Sequence, residues 1–316
     1  MTLEQLRIFV AVAERQHVTK AAAALHLTQS AVSAAVTALE ARHGVALFDR
    51  VGRGVVLNQT GQIFLEEARA VLARAAAAEA ALEDLAGLRR GRLSIQASQT
   101  IASYWLPARL GAFREAYPGV ILEVAIGNTS QAIEAVATGA AEIGLIEGEV
   151  SDPHLSSTVI DHDQMILVVA PEHPWSRGLK DGWALTDTAW VLREPGSGTR
   201  WALEAALARQ GLRLGDIDVA MVLPGNEAVR AAVEAGVGAA IMSRSVAESG
   251  LASGALVKAP LELPRRPFRL LRHKERYQSK AGDAFIDCLE RFAGRQETAG
   301  ARALEQDPVR RNRLTG

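Results

Sequence analysis

The chain has 316 residues, a formal net charge of −1, 48% hydrophobic and 22% charged residues, and a single cysteine. That length supports two or three units with cores of their own, while one cysteine excludes an internal disulfide framework. No apolar run approaches the ~20 residues of a membrane-spanning helix, and the chain opens directly on a helical pattern without a signal peptide, so a cytoplasmic location is expected.

In chain order, Leu3, Leu6, Phe9, Val10 and Ala13 recur at helical spacing and predict a first helix. A short second helix follows over 19–25, with Val18 before it and Thr19 as its predicted N-cap. After a turn at Leu25-His26-Leu27-Thr28 comes a third helix over 29–40. Its Val32, Val36 and Leu39 cluster on one side, and Gln29, Ser30, Ser33 and Thr37 cluster about 125° away. The apolar side must pack on neighbours. The polar side is small, uncharged and rich in hydroxyl and amide groups, which suits the major groove, where such groups meet base edges and phosphates. The same pattern also describes an ordinary amphipathic surface helix. Three short helices joined by tight turns make a helix-turn-helix. Two β-prone runs around Val51-Gly52-Arg53-Gly54 predict a hairpin wing, with Arg50 and Arg53 near the phosphates. The near-neutral total charge averages unlike parts: through residue 60, Arg7, Arg15, Lys20, Arg42, Arg50 and Arg53 outweigh Glu4, Glu14, Glu40 and Asp49 by two charges.

Residues 61–88 form one long helical run, in which Phe64, Ala68, Val71, Ala75, Ala78, Leu82 and Leu85 follow 3–4 spacing. An isolated helix cannot bury that stripe; a second copy of itself or the rest of its own chain must cover it. Gly87 and Gly91 mark a hinge. Strands are then expected at 93–97, 120–126, 142–146, 165–170, 190–192, 220–223 and 237–242, and helices at 101–117, 131–137, 200–210 and 227–235. This alternation predicts parallel sheets with helices on both faces. Its length suits two lobes, 92–160 with 268–293 and 161–267, closing as a clamshell. Cys288 falls in a helical pattern and reads as a packed apolar residue or a redox sensor. The polar tail over 295–316, with Arg302, Asp307, Arg310, Arg311 and Arg313, is expected to be disordered.

Ligands of open α/β sheets sit beyond the carboxyl ends of strands, near helix N-termini. Ser98-Gln99-Thr100, Asn128-Thr129 and the run from Arg193 to Arg200 all occupy such places, the last offering Ser197, Thr199 and Arg200. Asn226-Glu227 is a weaker fourth. Hydroxyls, amides and backbone N–H groups at positive helix ends capture small anions; Ser and Thr there also serve as plain N-caps. Glu147 is awkward for an anion site and either orients an arginine or faces away. Gly196-Ser197-Gly198 is not a Gly-x-Ser-x-Gly nucleophile turn, and His154, His162, His173 and His273 lack metal-ligand spacing. The chain is therefore read as a non-enzyme with no catalytic residues, metal or cofactor.

The order Leu6-Arg7-Ile8-Phe9, Ala21-Ala22-Ala23-Ala24-Leu25, Thr28-Gln29-Ser30-Ala31-Val32-Ser33, Leu39-Glu40, Leu47-Phe48-Asp49-Arg50 and Thr60-Gly61 resembles the LysR-type transcriptional regulators, and the match continues to about residue 293. Ala34 and Ala35 replace the basic or amide residues of many members, and Asn58 stands where Leu-Thr-x-x-Gly is usual. The resemblance implies a winged helix-turn-helix over 1–58, a linker and dimerisation helix over 59–90, and a two-lobed effector-binding α/β domain, like periplasmic solute-binding proteins, over 91–294. It implies a bacterial, nucleoid-associated protein. Its partners would be a palindromic double-stranded operator, a small anionic effector, further copies of itself as dimer or tetramer, and RNA polymerase. Ala97-Ser98-Gln99-Thr100-Ile101, Gly127-Asn128-Thr129, the Arg193 to Arg200 run and Gly225-Asn226-Glu227 look like the branch containing the CysL, YeiE and CbbR regulators. Sulfite or a related oxyanion is the effector this favours, with sulfur metabolism as the controlled process. The alternatives are a small organic acid or carbon-fixation metabolite, or a solute-binding clamshell without a regulatory role.

Overall fold

A computed structural model of the chain describes residues 1–52, 54–85, 91–178 and 183–305. Helix α1 (Leu3–Arg15) begins under a capping box: Thr2 Oγ1 accepts from Gln5 N and Gln5 Oε1 accepts from Thr2 N. It buries Leu6, Phe9 and Val12, whereas Leu3 stays exposed. Helix α2 (Val18–Ala24) starts one residue before expectation. Its cap is His17, whose Nδ1 accepts from Lys20 N at 3.4 Å, and Thr19 lies inside the helix because Val18 joins the core. The chain bends by 110° into α3 (Gln29–His43), helped by the left-handed backbone of His26 at φ 55°. Thr28 caps α3, accepting from Ala31 N at 3.2 Å, and Gly44 at φ 67° ends it. Strands β1 (Phe48–Val51) and β2 (Gly54–Leu57) pair antiparallel around Gly52, giving the expected wing; Arg53 lies outside the described residues.

The long helix α4 (Gln59–Leu85) is capped by Asn58, whose Oδ1 accepts from Gly61 N at 2.8 Å and whose Nδ2 donates to Ala46 O at 2.9 Å. Asn58 thus does the work of the threonine it replaces. A Cβ on Gly61 would lie 2.1 Å from Leu47 O, so only glycine lets α4 pass this close to the loop before the wing. The predicted apolar stripe is divided. Phe64 packs against Phe9 with ring centres 4.9 Å apart and planes inclined by 53°, and Ala68 is buried, both within the chain, while Val71 and Leu82 remain 40% and 69% exposed. Gly87 lies outside the described residues.

Strand β3 (Gly91–Ser98) opens the effector domain and leads into a π-helical turn, Ile101–Trp105, continued by α5 (Leu106–Ala116). Next come β4 (Val120–Gly127), α6 (Thr129–Thr138), β5 (Ile143–Glu147) and the 15-residue β6 (Leu155–Val169). The second lobe holds β7 (Ala189–Arg193), α7 (Gly198–Arg209), β8 (Asp218–Leu223), α8 (Asn226–Glu234), β9 (Ala240–Ser243), α9 (Arg244–Ser253) and β10 (Val257–Lys258). Strand β11 (Arg265–His273) and α10 (Lys280–Glu305) return to the first lobe.

The expected all-parallel pattern is corrected. β3 pairs parallel with β4 and β5, and β7 with β8. β6 and β11, however, run antiparallel to each other from Arg265↔Gln164 to His273↔Leu155. These two strands carry the chain between lobes, and opposite crossings must run antiparallel. The first-lobe core gathers Leu93, Ile95, Trp105, Phe113, Phe285 and Cys288, so the lone thiol is a packed residue. Second-lobe cores form around Trp190, Leu203 and Ile241 on one side of the sheet and around Val191, Val229 and Val246 on the other. The tail is also corrected: residues 295–305 continue α10, because Gln, Glu, Ala, Arg and Leu there sustain a helix already nucleated. Residues 306–316 lie outside the described residues.

Candidate functional site

Two surfaces gather the residues picked from the sequence. On α3, Val32 and Leu39 are buried and Val36 is half-buried, which fixes the rotation of the helix. Gln29, Ser30 and Thr37 are consequently exposed and Ser33 half-buried. Ser30 Oγ shares a 3.1 Å hydrogen bond with Thr28 Oγ1. Gln29, Ser33, Thr37 and the exposed Arg50 of β1 line one cleft of about 290 Å³ between α3 and the β1–β2 hairpin. Glu40, which sequence reasoning had not assigned a role, holds this geometry: its Oε1 accepts from Leu47 N at 2.8 Å and Phe48 N at 3.4 Å, tying the wing to α3. The wing also rests on the end of α1, Val55 N donating to Gln16 O at 3.3 Å.

The second surface lies between the lobes. Helices α6 and α7 point their N-termini at the carboxyl ends of β3 and β5, and Ser98, Gln99, Thr100, Asn128, Thr129, Ser197 and Thr199 converge there. The lobes are shut on one another, leaving ≈ 0 Å³ of free space. Asn226 N donates to Gln99 Oε1 at 3.0 Å and Asn226 Nδ2 to Thr100 Oγ1 at 3.1 Å. Asn128 caps α6 through Gln131 N at 3.0 Å and reaches across to Glu194 Oε1 at 3.2 Å and Pro195 O at 3.4 Å. Ser130 N donates to Gly196 O at 3.1 Å. Ser197 caps α7 through Thr199 N at 3.2 Å. Two sequence candidates sit outside the cluster. Arg200 pairs with Glu204 at 3.0 Å and reaches Arg193 O. Glu227 accepts from Tyr104 of the first lobe and from Arg230, closing the cleft mouth. Burial first, and the Glu227 carboxylate second, push the Tyr104 phenol up to about 12.

Of the buried charges, Arg193 and Glu194 are chain neighbours, whereas Arg266 and Asp163 come from far apart in sequence. Arg193 Nε and Nη2 hold the Glu194 carboxylate at 2.7 and 2.9 Å, and Nη1 donates to Asn226 Oδ1. Burial works against the Glu194 charge, but the guanidinium outweighs it and holds that carboxyl below its usual range. Arg266 is clamped by Asp163 at 2.7 and 2.9 Å, lies 3.7 Å from Glu147 and donates to Thr199 Oγ1 at 3.4 Å. Glu147 also accepts from Thr129 Oγ1 at 3.1 Å, so it orients an arginine. Both arginines are thus already paired with carboxylates. The donors left to a ligand are neutral: backbone N–H groups at two helix ends, and the Ser98 hydroxyl, which is buried with no partner. Among the described residues no cluster of His, Cys, Asp and Glu is placed to hold a metal ion, and no single helix is long and apolar enough to cross a membrane.

Comparison with known proteins matches the two parts of the chain that carry these surfaces. Residues 3–62 match the family described as bacterial regulatory helix-turn-helix protein, lysR family, and residues 86–293 match the LysR substrate binding domain. The chain is 36% identical over 292 residues to the uncharacterized HTH-type transcriptional regulator YeiE of Escherichia coli (strain K12), covering 92% of this chain and 97% of that protein. It is 31% identical to the probable RuBisCO transcriptional regulator of Cyanophora paradoxa, covering 96% of each. Among solved structures, full-length CbnR complexed with its target DNA superposes with a TM-score of 0.62 at 23% identity, over 92% of this chain and 99% of that one.

Proposed function

The chain belongs to the LysR family of bacterial helix-turn-helix regulators, whose members are transcriptional regulators and not enzymes, and on that premise we propose how it reads DNA and what it senses. Residues 1–58 bind the operator, 59–90 link and pair protomers, and 91–294 sense the effector. Gln29, Ser30, Ser33 and Thr37 contact bases and nearby phosphates, with Arg50 and Arg53 on the flanking backbone. Exposed Ala34 keeps the helix surface low, while Ala35 packs against the core. Two copies place their α3 helices in successive major grooves of a roughly palindromic site, about 34 Å apart or a multiple of that.

Self-association has physical support. Ile63, Val71, Ala78 and Leu82 fall within about 100° of one another on α4 and are exposed. Strands β4 and β8 each pair on one side only and expose Ile121, Ile126, Met221 and Val222. Unpaired apolar edges of this kind call for a covering partner, and a second copy supplies matching ones. RNA polymerase would be contacted by this assembly on DNA.

The effector is a small oxyanion, with sulfite favoured by the likeness to the sulfur-linked branch and control of sulfur metabolism as the corollary. The observation that carries this reading is the unpartnered, buried Ser98 hydroxyl beside two helix N-termini. Likeness to RuBisCO regulators keeps a carbon-fixation metabolite or small organic acid as the second reading. Calorimetry of the full chain with sulfite, sulfate, phosphate and a panel of small organic acids separates them. Saturable sulfite binding that weakens in Thr100→Val and Ser197→Ala is expected. Silence from every anion overturns the anion reading, and tighter binding of an organic acid replaces sulfite.

A further inference from the structure

We propose that Arg69 is a positioning residue for DNA binding: from α4 it ties α1 of the DNA-binding unit to α6 of the effector domain in the same chain, and so fixes the angle at which α3 is presented. Its Nη1 meets Glu134 of α6 at 2.9 Å and its Nη2 meets Glu14 of α1 at 3.2 Å. The Arg69 side chain is 21% exposed, so the bridge lies at the junction of three helices and not in open solvent. A planar guanidinium fork holds two carboxylates in set directions, which the point charge of a lysine does not. The role assigned to Arg69 rests on the pairing of protomers proposed above.

The two contacts of α4 differ in kind. Toward the DNA-binding unit it is locked by packing: Leu6, Phe9, Leu39, Leu47 and Ala68 form one buried cluster with Phe64 against it. The first half of α4 therefore moves with α1 and α3. Toward the effector domain the fit is loose. Gly139, at φ 82°, lets α6 approach, since a Cβ there would fall 2.4 Å from Ala73 Cβ. Beside that contact a cavity of about 150 Å³ separates Ala73, Ala76 and Ala77 from the first lobe. Alanines facing a void have no interlocking side chains to select one angle. Directional, charge-assisted hydrogen bonds supply what packing lacks there. A partly exposed ion pair adds little to stability, but orientation requires only that one of several near-equal arrangements be favoured.

Helix α6 is the right element to grip. It spans about 15 Å from the cleft to the linker helix. At its start Asn128 and Ser130 bond Glu194, Pro195 and Gly196 of the second lobe. At its end Arg276 donates to Val136 O at 2.9 Å and Ala137 O at 2.7 Å, fastening the helix to the first lobe. Glu134 lies between these anchors, so Arg69 holds a helix that is itself held at both ends. Copies joined along β4 or β8 have their lobes fixed to one another. The separation of their α3 helices on DNA then follows from the angle between α4 and the lobe, which is the angle the Arg69 bridge restrains.

Fluorescence anisotropy tests the bridge, with the full chain on its own upstream DNA and on the same DNA carrying two extra base pairs between the half-sites, which turns them about 70° apart. The parent should bind the lengthened site about tenfold or more weakly than the native one. Arg69→Met and Glu134→Gln should each cut that discrimination to about threefold or less. The double variant should lose no more than Arg69→Met alone, because both substitutions remove one interaction. The Glu134 side chain is 59% exposed, so Glu134→Gln carries the test where Arg69→Met fails to fold. A loss of stability alone weakens binding to both sites and leaves their ratio in place. Discrimination kept in both single variants, or losses that add in the double variant, overturns the role of Arg69 alone. A parent indifferent to the lengthened site overturns the proposed pairing, and the role of Arg69 with it.

Discussion

At the scale of residues, the Ser98 hydroxyl is the sharpest handle. It is buried and unpartnered at the end of β3, which costs about 1–3 kcal/mol. Ser98→Ala removes that cost together with a donor. Thermal denaturation should show the variant as stable as the parent or more so, while calorimetry shows weaker anion binding; a destabilised variant with unchanged binding would assign Ser98 a packing role. Gly61 is the opposite case. Gly61→Ala forces a Cβ against Leu47 O, and the junction of wing and α4 should lose stability on the scale of severe core defects, upward of about 3 kcal/mol, read from a denaturant titration. Hydroxyl and amide residues at helix starts were legible from sequence because capping and anion capture use the same short pattern. The Arg266–Asp163 clamp was not: its partners are over a hundred residues apart and meet only through the antiparallel pairing of β6 and β11. Arg200 looked better placed than Arg193 because it opens a helix, yet it bonds one turn along to Glu204 and leaves Arg193, at the strand end, beside the cleft.

At the scale of elements, local pattern located helices well where periodicity is strong, as in α1 and α3, but it showed only the apolar end of the 15-residue β6. It misplaced the start of α2, since histidine is an uncommon cap and only the packing of Val18 selects it. Helix α9 and strand β11 were missed: α9 is rich in Ser and Gly, and the β11 run carries four arginines and a proline, so neither displays a clean apolar period. The second lobe contains a pH-sensitive element. His173 Nδ1 accepts from Trp175 N at 3.1 Å and Nε2 bonds Thr188 Oγ1 at 2.8 Å. Burial holds its pKa below the 6.5 of a free imidazole. The unfolded chain therefore takes up a proton before the folded one does as pH falls through 6.5. The stabilisation is present above that value and is lost below it, toward the folded pKa. Melting temperature should drop on acidification from about pH 7.5 to 5.5, and His173→Gln should flatten the drop; an identical pH profile in the variant would remove His173 from the account.

At the scale of the molecule, βα alternation disclosed a two-lobed α/β domain but not its mixed sheet, because the reversal arises from two strands crossing between lobes and not from any local signal. The resemblance in the first sixty residues carried the DNA-binding assignment further than charge did, since the proposed reading face of Gln29, Ser33 and Thr37 adds nothing to a charge count. The proposed pairing of protomers rests on α4, β4 and β8, where one chain leaves exposed apolar side chains uncovered. Hydroxyl-radical footprinting of the full chain on its own upstream DNA tests the central claim, that a paired scaffold presents this α3 face to the duplex. Protected patches should recur on one face of the DNA, about one helical turn or a multiple apart, and Gln29→Ala and Ser33→Arg should weaken or shift them, each base contact being worth about 1–3 kcal/mol. A single unpaired patch, or the same footprint in both α3 variants, would contradict it.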